Sequence, residues 1–521
     1  MHSSPTISLS ALGFTWPDGT VALDGLTATF GAGRTSIVGL NGTGKSTLLR
    51  LIAGELEPTT GTVTTSASVS YLRQDLALRA DATLADLLGI RRQVVALAAI
   101  EAGDTSQAHF DAIGDDWDIT ERALGTLSAM GIAGIDLERS VSTLSGGETV
   151  IAGLAGLRLV AAPITLLDEP TNNLDRSARR RLYDAIESWV GALVVVSHDR
   201  ELLELVDETA ELHSSSLRIF TGGYSVYRAA VDAEQDAAER SLRAAEQDLR
   251  TEKRQRIEAE TKLARRDAYG QKSAESLPRI IAGGRKNAAQ VSAGKLRGIH
   301  EDRLGGAAKA VAAAEERVRN DRRIRIDLPD SAVPGGRRIL SIGEPLDLEI
   351  YGPERIAVTG DNGVGKTMLL NAIADGAPPV RFRAPEVGYL RQRLDGLDDT
   401  ASVLDNVRAV TDATPNEVRA QLARFLFRGK RVEQPASQLS GGERFRVALA
   451  RILLADPAPQ LLLLDEPTNS LDLRSIDHLV EALEAYRGAL VVVSHDEDFL
   501  ARLVLDRRIE LTRQTEEAPI S

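Results

Sequence analysis

Apolar positions in this chain fall into two patterns. Short runs with no polar alternation recur in both halves: Thr35-Ser36-Ile37-Val38, Ile164-Thr165-Leu166-Leu167 and Val194-Val195-Val196, then Arg355-Ile356-Ala357-Val358, Leu461-Leu462-Leu463-Leu464 and Val491-Val492-Val493. Such runs predict strands buried on both faces, the habit of a parallel sheet covered by helices. Ser46-Thr47-Leu48-Leu49-Arg50-Leu51-Ile52 opens a helix directly after the first loop. Between the halves the pattern becomes a narrow stripe, Val231, Ala238, Leu242, Ala245, Leu249, Ala259 and Leu263, with Leu304, Ala308, Val311 and Val318 as its expected partner. Gly270, Pro278, Gly283 and Gly284 interrupt the stripe, which predicts an antiparallel helical hairpin. Its first arm, Arg228 to Arg266, would reach about 58 Å at ~1.5 Å per residue.

The strands carry a repeated set of motifs. GLNGTGKS (Gly39–Ser46) and GDNGVGKT (Gly360–Thr367) both fit G-x-x-x-x-G-K-[ST]. Each is followed by an isolated Gln (Gln74, Gln392), an LSGGE (Leu144–Glu148, Leu439–Glu443), an acidic pair (Asp168-Glu169, Asp465-Glu466) and a His-Asp (His198-Asp199, His495-Asp496). Acid and His are 30 positions apart in both copies, whereas Gln and the LSGGE leucine are 70 apart in the first and 47 in the second. The extra 23 residues are expected at about 91–120, as an inserted helical arm. The predicted organisation is a first domain over 1–227, a linker over 228–323, a second domain over 324–513 and a short polar tail over 514–521.

Each motif fits one part of nucleotide chemistry. Gly42 and Gly44, like Gly363 and Gly365, let the backbone fold its N–H groups around phosphate oxygens at a helix N-terminus. Lys45 and Lys366 add a positive charge near the outer phosphates, and the Ser46 and Thr367 hydroxyls can ligate magnesium. Gly39, Asn41 and Thr47, with Gly360 and Asn362, complete the two candidate binding loops. Asp168 and Asp465 are placed to hold magnesium through water, and Glu169 and Glu466 to accept a proton from the attacking water. An acidic pair ending a strand can equally cap the next helix; the neighbouring phosphate loop favours the catalytic reading. His198 and His495 end another apolar run and are expected to contact the γ-phosphate. Gln74 and Gln392, each after a Tyr-Leu-Arg, are expected to sense magnesium and water.

Composition narrows the setting. The chain is 43% hydrophobic, enough for sizeable cores, yet no window approaches the ~18 apolar residues of a membrane span. The start, MHSSPTISLS, lacks the layout of a secretory signal, which leads to the expectation of a cytoplasmic protein. With no cysteine, disulfides and thiolate metal sites are excluded. Charge is uneven: Arg228 to Arg325 holds 23 basic and 16 acidic residues in a chain of net charge −13. Lys262–Arg297 concentrates nine basic residues against two acidic ones, which suits phosphate backbones, although a charged helical spacer has a similar composition.

LSGGE together with the loops, acidic pairs and histidines resembles the ABC ATPase family over about four-fifths of the chain. The resemblance implies an α/β fold: two P-loop ABC-type ATPase domains, with mixed sheets and helical subdomains, joined by a long helical-hairpin linker. It also implies an intramolecular pseudo-dimer in a monomeric chain, with ATP and Mg2+ as cofactors. Lys45 would share one ATP with Ser440, Gly441 and Gly442, and Lys366 the other with Ser145, Gly146 and Gly147. Trp16, 29 positions before Lys45, resembles the family's adenine-stacking aromatic. The corresponding stretch Asp330–Arg338 has none, leaving Arg337 or Arg338 to stack, or a looser hold on the base.

The complete layout, with EPTNNLD (Glu169–Asp175) and EPTNSLD (Glu466–Asp472), resembles the ABC-F family. Its members bind the ribosomal exit site and point their linker at the P-site tRNA and the peptidyl-transferase centre. The resemblance therefore implies the ribosome, with its RNA and P-site tRNA, as partner. RIIAGGRKNAAQVSAGKL (Arg279–Leu296) is similar to linkers of the antibiotic-resistance branch. Thr149-Val150 departs from the family, which has basic residues there, as in Arg444-Phe445-Arg446. Two other readings stay open: the tandem ATPase subunit of a membrane sugar importer, and a chromosome-maintenance ATPase gripping DNA with its hairpin.

Overall fold

A computed structural model describes residues 4–74, 82–172, 174–213, 215–274, 298–299, 301–315, 331–391, 396–469 and 471–512; side chains at 263 and 266–274 are outside the description. The chain divides into two compact units, Met1–Tyr224 with Arg323–Ser521, and Ser225–Arg322. The first unit holds both repeats.

In the first repeat the strands are β1 (Ile7–Thr15), β2 (Val21–Phe30), β3 (Gly33–Val38), β4 (Thr60–Thr65), β5 (Val69–Leu72), β6 (Ile164–Asp168), β7 (Ala192–Val196), β8 (Glu208–His213) and β9 (Ser216–Thr221). The central sheet has the order β5-β6-β7-β3-β8-β9 and is parallel up to its antiparallel last pair. Strands β6 and β7 are buried at every position, as their unbroken apolar runs require. Register sets the functional edge. Ile37 and Asp168 both pair with Val196, so the phosphate loop, the acidic pair and the histidine segment leave the sheet at one level. Ligands of open α/β sheets bind at this carboxyl edge.

The second repeat has β10 (Arg338–Ile342), β11 (Leu348–Tyr351), β12 (Arg355–Thr359), β13 (Val380–Arg383), β14 (Val387–Leu390), β15 (Leu461–Asp465), β16 (Ala489–Val493) and β17 (Arg507–Glu510). The order β14-β15-β16-β12-β17 is parallel, and Val358 and Asp465 both pair with Val493. Beside each core lies an antiparallel sheet, β2-β1-β4 or β11-β10-β13. These differ in reach. The β1–β2 pairing runs from Ile7↔Phe30 to Thr15↔Val21, the β10–β11 pairing only from Arg338↔Tyr351 to Ile342↔Leu348.

The helical parts differ likewise. The first repeat has helices at Arg91–Glu101, Gln107–Ile113 and Ile119–Ala129; the second passes from Val403–Arg408 directly to Pro415–Arg424. Phe110 packs on Trp117 at 5.8 Å between ring centroids, closing the extra segment on itself. Thr83 and Thr414 each start a helix with a reciprocal capping box.

The second unit contains one helix of 51 residues, Tyr224–Ala274, which would span about 77 Å. It passes through Gly270, where the sequence predicted an interruption. One helical glycine costs only ~1 kcal/mol, and pairs such as Arg228–Asp232 (3.1 Å), Arg243–Glu239 (3.0 Å) and Arg256–Glu260 (3.1 Å) favour continuation. Val231, Ala238, Leu242, Ala245, Leu249 and Ala259 are all at least partly shielded. In the 301–315 helix the shielded positions are Leu304, Ala307, Val311 and Ala314; Ala308 is exposed, which corrects the predicted stripe by one position. Pro278, Gly283, Gly284, Val318 and the stretch Arg279–Leu296 lie outside the described residues.

Candidate ATP sites

Each loop folds as its glycines require. Gly44 (φ +91) and Gly365 (φ +99) are left-handed caps of the helices beginning at Lys45 and Lys366. A Cβ on Gly44 would come within 2.9 Å of the Ala22 carbonyl, so both backbone and space demand glycine. Lys45 Nζ donates to the Gly39 and Leu40 carbonyls at 2.8 and 3.1 Å; Lys366 Nζ donates to those of Gly360 and Asp361 at 2.7 and 3.0 Å. Both lysines are buried, which pulls their pKa below the ordinary value against the opposing charge of Glu169 or Glu466.

Two cavities of ≈ 410 Å³ open on the loops. Asn41, Gly42, Gly44, Lys45, Ser46 and Thr47 line the first, joined by Trp16, Gln74, Glu169 and His198. Asn362, Gly363, Gly365, Lys366 and Thr367 line the second, joined by Asp465, Glu466 and His495. Gly39 and Gly360 lie behind the loops, where a Cβ would meet the Leu212 or Leu511 carbonyl. Gln392 lies outside the described residues.

The acidic pairs divide their tasks. Ser46 Oγ donates to Asp168 at 3.1 Å and Thr367 Oγ1 to Asp465 at 3.3 Å, so each site aligns a hydroxyl with a carboxylate. Magnesium commonly takes one or two protein oxygens and completes its shell with phosphate and water, so this donor set fits it. The loop N–H groups also fit anions, because Asn41 N donates to the Asp472 carboxylate at 2.9 Å. Glu169 (φ +48) and Glu466 (φ +44) sit in the left-handed region, a strain that recurs at both copies and aims each carboxyl into its cavity. Burial pushes Glu169 up to about 8 and Glu466 up to about 7, against the pull of the nearby lysines.

The histidines differ in their nearest partners. Burial lowers His198 to about 3 and His495 to about 4, so both rings are neutral at physiological pH. His198 Nε2 lies 3.1 Å from Glu169 Oε1 and His495 Nε2 3.5 Å from Glu466 Oε1, contacts of neutral rings rather than ion pairs. His495 Nε2 is 2.9 Å from Lys366 Nζ and must accept there. Its 3.2 Å contact with the Asn362 side chain then requires the amide nitrogen to face the ring.

The signature segments begin helices, Gly146–Val160 and Gly441–Leu453, each with a capping box from Ser145 to Glu148 or Ser440 to Glu443. Gly146 reaches the cavity of Lys366, while Ser145 is held in its capping box and Gly147 packs behind, near Ala178 and Leu174. Ser440, Gly441 and Gly442 do not line the cavity of Lys45; the second domain is represented at that loop by Asp472. Thr149 is buried and bonds the Ser145 carbonyl, whereas Arg444 pairs with Asp399.

Several participants escaped the sequence reading. Tyr71 and Tyr389 donate to Asp168 and Asp465 at 3.0 and 3.5 Å, and burial raises both hydroxyls, the second to about 12. Their recurrence three positions before each Gln was the available signal. The proposed stacking role of Arg337 or Arg338 needs correction: Arg338 pairs with Tyr351 at the opposite end of the hairpin from its tip and lies over the Phe382 ring at 4.7 Å. The counterpart of the Trp16 turn is 343–347, where the strands are simply shorter.

Two phosphate loops, each with an acidic pair and a histidine at one sheet edge and a capped signature helix, define a tandem P-loop ATPase. Residues 23–172 and 344–469 match the family described as ABC transporter. The chain belongs to this family, as an ATP-binding and ATP-hydrolysing protein of the ABC-F type. It is 33% identical to "Tylosin resistance ATP-binding protein TlrC" of Streptomyces fradiae, over 96% of this chain and 97% of that protein. It is 32% identical to "Probable ATP-binding protein YheS" of Escherichia coli K12, over 94% of this chain and 77% of that protein. A crystal structure of the archaeal ribosome recycling factor aABCE1 with the stalk protein aP1 superposes with a TM-score of 0.53 at 18% identity, covering 96% of this chain and 87% of that one; this likeness concerns the fold. Among the described residues no helix is long and apolar enough to cross a membrane.

Proposed function

We propose that this protein is a cytoplasmic ribosome-acting ATPase that uses ATP to close its two domains and protects the ribosome from an antibiotic bound near the P-site tRNA and peptidyl-transferase centre. The observation that carries this reading is the pairing of two phosphate-loop sites, each with its acidic pair and histidine, with a 51-residue helix entering a basic linker. Two relatives point the same way by name, the tylosin resistance protein and "Antibiotic resistance protein" of Mycobacteroides abscessus, 30% identical over 95% of both chains.

In each site the loop N–H groups and Lys45 or Lys366 bind the phosphates, and Trp16 stacks on the first adenine. Ser46 with Asp168, and Thr367 with Asp465, would hold a magnesium ion, which when bound neutralises phosphate charge. Gln74 and Gln392 orient the nearby water. Glu169 and Glu466 take the proton of the attacking water, His198 steadies the first carboxyl, and His495 stands beside Lys366. The signature of the opposite domain closes over the γ-phosphate, Ser145–Gly147 on Lys366 and Ser440–Gly442 on Lys45.

The test is co-sedimentation of Glu169→Gln/Glu466→Gln protein with ribosomes in ATP, paired with drug susceptibility of a sensitive host expressing the wild type. ATP-dependent ribosome binding with raised drug tolerance is the expected result. Recovery with a membrane complex instead would favour the importer reading.

A further inference from the structure

A cavity of ≈ 400 Å³ lies between the two domains beside the second phosphate loop, and its walls are charged. The first domain contributes Arg179, Tyr183 and Asp199; the second contributes Asp361, His495 and Asp496. Asp199 and Asp496 are equivalent residues, each directly after its site's histidine and each capping the next helix, through Leu202 N at 3.0 Å and Phe499 N at 2.9 Å. A buried carboxylate, Asp199, and a half-buried one, Asp496, therefore face one space, an arrangement that repels unless nearby cations offset it.

Of the arginines that line the cavity, Arg179 is the one paired with Asp199. Its Nη1 lies 2.8 Å from Asp199 Oδ2, which also accepts from Tyr183 at 2.7 Å, and its side chain is only 12% exposed. Burial opposes its charge, while Asp199 and Tyr183 and, across the interface, Asp496 and Glu466 favour it. The arrangement has one direction. At the positions equivalent to Arg179 and Tyr183, the second domain has Ile476 and Val480. The cavity includes Asp361 and His495 of the second site, and neither Leu40 nor His198, their counterparts in the first.

We propose that Arg179 is a positioning residue for the second ATP site alone: lodged in the first domain and paired with Asp199, it faces Asp496 across the shared cavity and so helps to hold His495 against the loop of Lys366. The second site then depends on interdomain contact through a side chain that the first site lacks. The inference rests on the reading that both sites hydrolyse ATP.

The experiment is vanadate trapping of 8-azido-ATP on the full chain, followed by photolabelling and separate quantitation of peptides from each domain. The parent chain should label both domains. Arg179→Met should cut second-domain label about tenfold or more and leave first-domain label within about twofold, since removing one partner of a buried charge pair chiefly weakens the contact it makes. Adding Asp496→Asn to Arg179→Met should restore the lost label, because Asn still caps the helix while the repulsion disappears. If the Met variant does not fold, Arg179→Gln, which removes the charge and keeps polar packing, is read by the same criterion. Equal loss in both domains, no loss in either, or no rescue by Asp496→Asn would overturn the proposal. A parent chain that traps nucleotide in neither domain, or in the first alone, would instead overturn the underlying reading of two competent sites.

Discussion

The two ATP sites share their motifs and differ in what surrounds them. The first has an aromatic at its mouth, Trp16, held edge-to-face on Phe14 at 5.0 Å, and a histidine whose Nε2 lies 3.1 Å from its glutamate. The second has a clipped hairpin, a histidine bonded to its lysine, and Gly146 of the opposite domain on its wall. Motif identity thus fixes which groups are present, while neighbours decide which of them touch. A site with its own aromatic can hold the base within one domain; a site without one draws more of its structure from the partner domain.

The largest effect should come from removing what the sites have in common. Glu169→Gln with Glu466→Gln keeps shape but abolishes the proton acceptor, so steady-state hydrolysis should fall at least ~100-fold while ATP binding persists. Wild-type turnover in that variant would remove both glutamates from the mechanism. The next experiment separates the sites. Lys45→Ala with Ser440→Ala should leave the Lys366–Ser145 pair working, at about half the hydrolysis rate, whereas Lys45→Ala with Ser145→Ala should cripple both to a few per cent. The contact of Gly146 with the second cavity supports this pairing. Equal residual rates in the two double variants would show that each site is closed within its own domain.

Much of this was legible in the sequence for a physical reason. The runs at Ile164–Leu167 and Leu461–Leu464 have no polar position to face solvent, so they had to be central strands, and the acids after them had to reach a carboxyl edge. The spacing-based match of Trp16 to Arg337 failed because counting residues back from the lysine assumes equal hairpins, and β10 and β11 are shorter than β1 and β2. Arg179, Tyr71 and Asp472 stayed hidden because their partners lie 20, 97 and 431 positions away in the chain, beyond any local pattern. The left-handed glutamates were equally unreadable, since strain at a non-glycine residue leaves no compositional mark.

A smaller effect should sharpen the comparison at the base. Trp16→Ala removes a stack worth ~1–3 kcal/mol, so nucleotide affinity of the first domain should weaken about tenfold, with the second domain unchanged. Domain-resolved photolabelling at graded ATP concentrations measures both values in one sample. A parallel loss in the second domain would mean that Trp16 acts through closure rather than on its own adenine.

The smallest effect concerns the charges that flank the interface. Arg200 of the first domain lies 2.6 Å from Asp477 of the second and 3.3 Å from Asp498, with all three side chains half-exposed or less. The equivalent positions carry the opposite sign, Glu497 for Arg200 and Arg180 for Asp477, so first-with-second pairing is favoured where two identical domains would set like charges together. Partly solvated pairs are worth little, and a double-mutant cycle over Arg200→Ala and Asp477→Ala should give a coupling of about 0.5–1 kcal/mol, smaller at high salt. Each single variant also releases a further partner, Arg502 at 2.8 Å for Asp477→Ala and Asp498 at 3.3 Å for Arg200→Ala, which the cycle subtracts. Thermal unfolding of the four proteins supplies the cycle. Strict additivity would show that the pair adds nothing across the interface, leaving Arg179 and the signature contacts to account for how the two sites meet.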